Sequence, residues 1–384
     1  MVQGRVRFGI LGPLEMCVDN AVVPLGTRKQ RAVLAILVIH RNRAVGIDEL
    51  ISAAWEEDHP PKGARNDLHT YVSRLRRLMA DPEADAPAPL AAAPPGYRLT
   101  MSESDCDCGR FNIERRNGVQ AAADGSFEQA GRHFAAALTE WRGPVLDGLR
   151  DFSFFDSFAT ALAEDRLVTQ IARAEVEILC GRAHSVIDEL ETLTADHPYR
   201  EPLWAQLIAA YYMADQQSKA VDAYQRLSGA LADDLGIEPN PSMRAIHERI
   251  LRQERLDIRR AAQAHADETI LTLRGHVATV ENDGVGPVLR AADGHAYPLR
   301  TMCTRIGRSP DNDIVLADAK VSRHHATIID TGSNFVIADL GSANGVYVRG
   351  RRTHPSAVLS DGDDIGIGSR HFTFEANAHE LAGD

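Results

Sequence analysis

The feature that most constrains the fold of this chain is the segment from Arg305 to Val348, where short apolar runs alternate with polar turns. Isoleucine, valine and other apolar residues fill most of three runs, at positions 313–316, 326–329 and 335–338. Gly, Asp, Asn and Ser dominate the turns between them. Short strands separated by such turns are typical of a β-sandwich with polar loops at its ends. The C-terminal part of the chain is therefore predicted to be all-β.

The loops of this predicted sandwich carry side chains that suit a phosphorylated peptide. Arg308 offers a planar guanidinium fork that matches the oxygens of a phosphate. Ser322 can donate its hydroxyl to the same group, and Asn344 offers a donor and an acceptor to a peptide backbone. Because a sandwich carries function mainly in its loops, these residues are the first candidates for a binding site.

Gly307-Arg308, Ser322-x-x-His325 and Asn344-Gly345, in this order, resemble the signature of the forkhead-associated (FHA) domain, a reader of phosphothreonine peptides. The resemblance covers residues 284–376. It implies that five residues contact the peptide or its phosphate: Arg308, Ser322, Arg323, Ser342 and Asn344. It implies structural roles for three others: Gly307, His325 and Gly345. The chain departs from the usual pattern at Val346, where many members have threonine.

Composition predicts a multidomain protein and excludes several classes of function. The 384 residues suffice for two to three domains. The five cysteines are scattered and odd in number, so reduced thiols without a bound metal are expected. We find neither a membrane-spanning run nor a signal peptide, and expect a cytoplasmic protein. Catalytic, metal-binding and cofactor-binding motifs are also absent from the sequence, so no enzymatic activity is expected.

The charge of the chain is uneven, although its net charge is −12. Residues 1–100 hold 13 Lys and Arg against 11 Asp and Glu, a balance of +2. The remainder holds 29 against 43, a balance of −14. Lys62–Met79 contains five basic residues and one acid. A local basic helix can neutralise DNA phosphates even in an acidic protein, so DNA binding is compatible with this composition.

The first hundred residues predict a small sheet, three helices and a terminal hairpin. Alternation over 5–25 predicts short antiparallel strands. The helices are predicted at 28–40, 47–55 and 63–80. The third helix has an apolar stripe, with small polar and basic residues on the opposite face. Pro95-Gly96 predicts a type II turn in a hairpin at 93–99.

This arrangement resembles a winged-helix domain of the OmpR type over residues 1–100, with the closest likeness at 71–78 and 95–99. The resemblance implies that the third helix enters the major groove and that the hairpin is the wing. Small side chains let a helix approach the bases, and arginine reads guanine or phosphate. The predicted DNA-binding residues are Arg65, Asn66, His69, Thr70, Ser73, Arg74, Arg77 and Arg98. Taken alone, the helix is equally compatible with a solvated charged face.

Residues 105–252 are predicted to be almost wholly helical, with helical hairpins similar to tetratricopeptide repeats. The predicted hairpins pair 111–123 with 127–140, 158–179 with 183–195, and 203–214 with 218–231. The segments 141–146, 199–204 and 235–241 resemble the bacterial transcriptional activation domain of SARP-type regulators. That resemblance implies a surface for a partner such as RNA polymerase, and a structural spacer is the alternative. Residues 253–283 are predicted to be a linker.

The chain is thus predicted to be a multidomain α+β protein: winged helix, all-α repeat domain and all-β FHA sandwich. This order resembles SARP-type regulators that end in an FHA domain. It implies a DNA-binding regulator that recognises phosphothreonine on a partner Ser/Thr kinase and so couples kinase signalling to transcription. Docking is expected to change how the FHA domain packs against the helical domain. The alternative is a phosphopeptide-binding modulator or decoy of a kinase pathway, with DNA binding secondary.

Overall fold

The computed structural model of this protein describes residues 6–55, 60–79, 89–254, 287–299, 303–310, 312–330, 335–353 and 356–376. The chain forms two compact units. The first is built from the described residues within 1–113, 139–165 and 272–384, and the second from those within 114–138 and 166–271. In the described part of the chain, none of the helices has the length and apolar character needed to cross a membrane.

The N-terminal region has the architecture of a winged helix. Its first sheet is antiparallel, with strands β1 (Val6–Gly9), β2 (Glu15–Val18) and β3 (Ala21–Val22). Three helices follow: α1 (Arg28–Ile39), α2 (Ile47–Trp55) and α3 (Ala64–Met79). A second sheet has the order β4-β6-β5, with β4 (Ala44–Gly46), β5 (Leu90–Ala93) and β6 (Gly96–Leu99). The sequence did not predict β4.

Local sequence explains how the helices of this region begin and pack. Thr27 caps α1, because its hydroxyl oxygen accepts a 3.3 Å hydrogen bond from the backbone N–H of Gln30. The residues of α1 from Ala32 to Ile39 are all buried, which makes α1 the central helix of the domain. On α3 only one stripe is buried, formed by Ala64, Leu68, Val72, Leu75 and Met79. The predicted amphipathic helix is confirmed, and its polar face is left exposed.

The wing differs from prediction in its turn. Ala93 pairs with Gly96, so the turn consists of Pro94 and Pro95, and Gly96 already belongs to β6. Gly96 does not have the positive φ that a type II turn requires, so that prediction is wrong. Glycine is needed at position 96 because the backbone of β4 approaches it closely. A Cβ on Gly96 would lie 1.9 Å from the carbonyl oxygen of Val45 in β4.

A buried carboxylate ties the first sheet to the start of the helical region. The backbone N–H groups of Ile10 and Leu11 each donate a 2.9 Å hydrogen bond to the carboxylate of Asp107. The guanidinium of Arg142 lies 3.1 Å from the same carboxylate, and the backbone N–H of Arg142 donates to the carbonyl of Leu11. The N–H of Leu146 donates to the carbonyl of Ile10. We call these five residues the Asp107 clamp.

The cysteines on either side of Asp107 are packing residues. Cys106 and Cys108 are both buried, and both are free thiols. Burial raises the pKa of the Cys106 thiol to about 12, and the neighbouring Asp107 carboxylate adds to that shift. Burial raises the pKa of the Cys108 thiol as well, so both side chains are protonated at neutral pH.

The middle of the chain is helical, as predicted. Its helices are α4 (Asp107–Ala123), α5 (Phe127–Thr139), α6 (Ser153–Leu179), α7 (Ile187–Asp196), α8 (Glu201–Met213), α9 (Gln217–Ala230) and α10 (Pro241–Leu251). In the second unit, α8 and α9 form the predicted hairpin, and Trp204, Leu207, Ala220 and Ala223 lie in its core. Nearly all of the predicted linker at 253–283 falls outside the described residues.

The C-terminal region is the predicted β-sandwich. One sheet has the order β10-β9-β11-β12-β15 and the other β14-β13-β16-β17-β7-β8. The strands are β7 (Val288–Ala291), β8 (Ala296–Pro298), β9 (Cys303–Gly307), β10 (Ile314–Val315), β11 (Ala326–Asp330), β12 (Phe335–Asp339), β13 (Val346–Val348), β14 (Arg351–Arg352), β15 (Ser356–Leu359), β16 (Asp364–Ile367) and β17 (Arg370–Glu375). Phe335 of the first sheet contacts Phe374 of the second in a shared core. The predicted signature residues follow β9 or lie before β11 and β13.

Candidate phosphopeptide-binding and DNA-binding sites

The predicted phosphate-binding residues lie on two loops that are joined through their backbones. The N–H of Arg308 donates a 2.9 Å hydrogen bond to the carbonyl of Ser322, and the N–H of Ser309 donates at 3.1 Å to the carbonyl of Arg323. The side chain of Arg308 is exposed, and Ser322 is half-buried beside it. A cation and a hydroxyl donor are thus available on adjacent loops. Both groups can donate hydrogen bonds to the oxygens of a phosphate ester.

Gly307 allows these loops to come together. A Cβ on Gly307 would lie 2.2 Å from the carbonyl oxygen of Arg323, so any side chain would push the loops apart. Asn312 adds a side-chain link, because its amide Nδ2 donates 2.8 Å hydrogen bonds to the carbonyls of Ser309 and Arg323. The sequence did not indicate this role of Asn312, because one of its two acceptors, the carbonyl of Arg323, lies eleven positions away.

His325 connects these loops to a third one from below. Its side chain is completely buried. The backbone N–H of Ser322 donates a 3.0 Å hydrogen bond to Nδ1 of His325, and Nε2 lies 3.1 Å from the carbonyl oxygen of Gly345. Nδ1 is therefore the acceptor and Nε2–H the donor, which defines a neutral imidazole. The ring holds Ser322 and Gly345 at a fixed separation.

The third loop presents Asn344 and buries Ser342. The hydroxyl of Ser342 accepts a 2.9 Å hydrogen bond from the N–H of Gly345, which places Ser342 beneath the loop and not at the predicted peptide contact. Asn344 is exposed, and its Nδ2 donates to the carbonyl of Lys320 at 2.7 Å. The amide oxygen of Asn344 remains available to a peptide N–H. The hydroxyl of Ser322 accepts from the N–H of Ala343 at 3.2 Å and can still donate.

Asp318 anchors the loop that carries Ser322, a role the sequence did not reveal. Its carboxylate accepts hydrogen bonds from the hydroxyl and N–H of Ser369 and from the N–H of Lys320. These bonds, led by that of the Ser369 hydroxyl, lower the pKa of Asp318 to about 2. The carboxylate is thus ionised at neutral pH, and it accepts hydrogen bonds from Lys320 and Ser369.

The proposed phosphate site has exposed polar and charged side chains on its surface and buried polar side chains beneath them. Arg308, Arg323 and Asn344 reach the surface, whereas Ser342 and His325 lie beneath. Within the described residues, neither Arg308 nor Arg323 forms an ion pair with a carboxylate. Val346, where the sequence departs from the FHA pattern, is fully buried in the sandwich core. The departure therefore changes packing under the loop and leaves the exposed groups in place.

The predicted DNA-binding face is exposed on α3. The exposed residues of this face are Arg65, Asn66, His69, Thr70, Ser73, Arg74 and Arg77, and Arg98 is exposed on the wing. Arg65 is partly occupied, because its guanidinium lies 2.8 Å from the carboxylate of Asp48. Arg74, Arg77 and Arg98 have no ion-pair partner among the described residues. These three cations are the ones available to phosphate or base edges.

The wing is held against α3 by side chains. Nδ1 of His69 lies 2.6 Å from the hydroxyl of Tyr97 in β6. Arg76 donates to the carbonyl of Leu90 in β5, and its guanidinium lies 5.4 Å from the centre of the Tyr97 ring. His69 was predicted to contact DNA, but its ring is engaged by the wing. Helix and wing are thereby fixed as one surface.

Strand β9 of the sandwich also reaches the winged helix. Arg305 lines a cleft together with Asp48, Glu49, Lys62 and Arg65. Burial raises the pKa of Glu49, and the nearby guanidinium of Arg305 opposes that shift. The backbone N–H of Arg305 donates a 2.7 Å hydrogen bond to Asp313. The strand that leads to Arg308 thus shares this cleft with the DNA-binding domain.

Comparison with known proteins matches this architecture part by part. Residues 22–99 match the family "Transcriptional regulatory protein, C terminal", residues 106–251 the bacterial transcriptional activator domain and residues 304–368 the FHA domain. The transcriptional regulatory protein EmbR of Mycobacterium tuberculosis is 55% identical over 377 residues, which cover 98% of this chain and 97% of EmbR. MoaR1 of the same organism is 48% identical over 66% of this chain and 82% of MoaR1.

A solved structure agrees over the whole chain. The structure of M. tuberculosis EmbR in complex with a low-affinity phosphopeptide has a TM-score of 0.94 and 54% identity to this chain. The match covers 99% of this chain and 100% of that one. A winged helix, an activator domain and an FHA domain in one chain define a transcriptional regulator, a class without enzymatic activity.

The 55% identity to EmbR over 98% of this chain shows which family of regulators it belongs to. The chain belongs to the SARP-type transcriptional regulators that include EmbR. The resemblance indicated by the order of the motifs is thereby confirmed.

Proposed function

We propose that this regulator binds phosphothreonine on a partner Ser/Thr kinase through its FHA loops and binds promoter DNA, in the cytoplasm, through α3 and the wing. The observation that carries the first part is a pair of exposed arginines, Arg308 and Arg323, beside the Ser322 hydroxyl, with no ion-pair partner in the part of the chain that the structure describes. A phosphate near −2 charge accepts several charge-assisted hydrogen bonds in such a site. The EmbR structure, which holds a phosphopeptide, supports the same assignment.

The peptide part of the proposal is tested by calorimetric titration of the full chain with a phosphothreonine peptide library. Binding should require the phosphate and should be lost in Arg308→Ala. Arg351→Ala is the matched control, because Arg351 is also exposed and lies in the same domain. Binding that persists in Arg308→Ala, or binding of the unphosphorylated peptides, would contradict the proposal.

The DNA part rests on Arg74 and Arg77 of α3, which are exposed and form no ion pair with any residue that the structure describes. Replacing Arg74 and Arg77 together by alanine should abolish specific promoter binding and flatten its salt dependence, since each lost phosphate contact reduces that slope. Arg132→Ala removes an exposed arginine from α5 and should leave both unchanged. Unchanged promoter binding in the double variant would favour a phosphopeptide-binding decoy over a regulator that acts on DNA.

We further propose that the helical domain contacts RNA polymerase. Support comes from large apolar side chains exposed on it, Met213, Ile237 and Leu251. Ile237→Ser should then reduce transcription from the promoter without reducing DNA affinity. Equal transcription from the variant and the parent chain would argue for a helical domain that only spaces its neighbours.

A further inference from the structure

The described arginines of the FHA domain differ in whether they form an ion pair with a carboxylate. Arg290 is paired with Glu375, Arg305 with Asp313, and Arg349 with Asp363. Arg308, Arg323 and Arg352 have no carboxylate partner among the described residues. The first two belong to the proposed phosphate site. Arg352 is a further exposed cation, and the phosphate-binding role leaves it unexplained.

Arg352 extends toward the peptide-binding loop. Arg352 in β14 is paired with Tyr347 in β13, so the two side chains share one face of the sheet. Gly345 lies two residues before Tyr347 and directly precedes β13. A Cβ on Gly345 would lie 2.4 Å from Nε and 3.1 Å from Nη2 of Arg352. The guanidinium therefore lies directly over Gly345, the residue next to Asn344.

Gly345 leaves room for this position in two ways. Its φ of +77° is one that residues with a side chain rarely adopt, and its missing Cβ creates the space that the guanidinium occupies. The adjacent Arg351 offers a contrast. Arg351 is paired with Val348, a buried residue, and so is directed to the opposite face of the sheet.

We infer that Arg352 forms a second anion-binding position, which selects phosphothreonine peptides that carry an additional acidic side chain on the side held by Asn344. The inference rests on the proposed phosphopeptide function and specifies its ligand. A peptide whose backbone is held by Asn344 passes beside Gly345 and hence beside the guanidinium. A planar guanidinium binds a carboxylate or a phosphate through two parallel hydrogen bonds, so the second anion is either an acidic residue or a second phosphorylated residue.

The test is a titration of the full chain with peptides that share one phosphothreonine and differ at a single flanking position. Each flanking position carries alanine, glutamate or a second phosphothreonine in turn. The parent chain should bind at least one acidic peptide roughly 1.5- to fivefold more tightly than its alanine counterpart, the range for an exposed ion pair. Arg352→Ala should remove that preference and leave the affinity for the alanine peptide nearly unchanged. Arg351→Ala should retain the preference.

The two proposals fail in different ways. If the parent chain binds the alanine peptide with full dependence on phosphate and on Arg308, but shows no preference for acid, the Arg352 inference is wrong and the proposed function stands. Persistence of the preference in Arg352→Ala also overturns the inference. Loss of all phosphate dependence in the parent chain would overturn the proposed function and the inference together. Preference for the doubly phosphorylated peptide over the glutamate peptide would identify a second phosphate as the anion.

Discussion

His325 is the residue on which the shape of the phosphopeptide loops depends most directly. Its two ring nitrogens bond to the backbones of two different loops from a completely buried position. A smaller side chain would leave a cavity, an unsatisfied N–H on Ser322 and an unsatisfied carbonyl on Gly345. Loop geometry and domain stability are therefore expected to change together at this position.

We expect His325→Ala to lower the free energy of unfolding of the FHA domain by about 2 to 4 kcal/mol, since it removes two buried hydrogen bonds and creates a cavity. Phosphopeptide affinity should fall as well. Chemical denaturation followed in the full chain measures the first effect. His324→Ala is the matched control, because His324 is adjacent but exposed and should have little effect on stability. Equal stability of the two variants would contradict the role given to His325.

His40 makes the stability of the winged helix dependent on pH. Burial lowers its pKa from 6.5 to about 4, and the nearby Arg43 adds to the shift. Between these values the unfolded chain binds a proton that the folded chain does not, so stability falls as pH decreases from 6.5 towards 4. The loss should reach about 1 to 3 kcal/mol near pH 4.

Urea denaturation at pH 7 and pH 5 measures this dependence on pH. In His40→Gln the difference in unfolding free energy between the two pH values should be smaller than in the parent chain. His184→Gln replaces an exposed histidine of the helical region and should not alter the difference. A pH dependence that is identical in all three proteins would show that His40 is not the titrating group.

Among the structural elements, the Asp107 clamp joins β1, the start of α4 and the segment before α6. The side chain of Asp107 is 3% exposed and receives two backbone N–H groups and one guanidinium. Asp107→Ala leaves the backbone N–H groups of Ile10 and Leu11 without this acceptor, whereas Arg142 keeps its ion pair with Glu15. We expect a loss of roughly 2 to 5 kcal/mol, because each buried donor left unsatisfied costs about 1 to 3 kcal/mol. Thermal unfolding of the full chain measures this loss.

The control for the clamp is Asp124→Ala, which removes an exposed carboxylate after the end of α4. It should unfold within about 0.5 kcal/mol of the parent chain, as surface substitutions usually do. If Asp107→Ala were as stable as Asp124→Ala, the hydrogen bonds at Asp107 would not be important for the fold.

Elements with a local signal were the ones that the sequence predicted well. The apolar stripe of α3 and the start of α1 at Arg28 depend on residues within a few positions of one another, and both agree with the prediction. Strand β4 is three residues long and is defined by pairing with β6, about fifty positions away, so no local pattern indicated it. The wing turn was mispredicted for a related reason. Glycine is required at position 96 because the backbone of Val45 lies close to it. The preference of a Pro-Gly pair for turns carries no information about such a contact between distant residues.

In the candidate phosphopeptide site, too, features with a local sequence signal were predicted and features that depend on distant residues were missed. The exposed groups, Arg308 and Asn344, were predictable because the signature places them in fixed loops. Their supports, Asn312 and Asp318, act through backbone groups or side chains that only the fold brings near. Ser342 was predicted to contact the peptide and is buried, because the sequence shows loop membership and not the direction of a side chain.

On the scale of the whole molecule, the cleft at Arg305 connects the two proposed sites. β9 carries Arg305 into the cleft that Glu49 of the winged helix also lines, and it ends directly before Arg308. We expect saturating phosphopeptide to change DNA affinity in the parent chain, and Arg305→Ala to reduce that change without altering phosphopeptide affinity. DNA binding with and without peptide, followed by fluorescence anisotropy, measures both quantities.

The matched control is Arg349→Ala, which also removes an arginine paired with an aspartate in the FHA domain, but one outside the cleft. It should retain the effect of the phosphopeptide on DNA affinity. A DNA affinity that is unchanged by peptide in the parent chain would show that the two sites work independently.

The Asp107 clamp limits how this protein can be divided. A fragment that stops at residue 100 keeps β1, α3 and the wing, but loses the acceptor for Ile10 and Leu11 and the backbone donors from Arg142 and Leu146. We expect the smallest portable unit that keeps the stability of the winged helix to extend as far as Leu146. A chimera that moves the DNA-binding domain to a new partner should then be most stable when it carries the first helices of the activator domain with it.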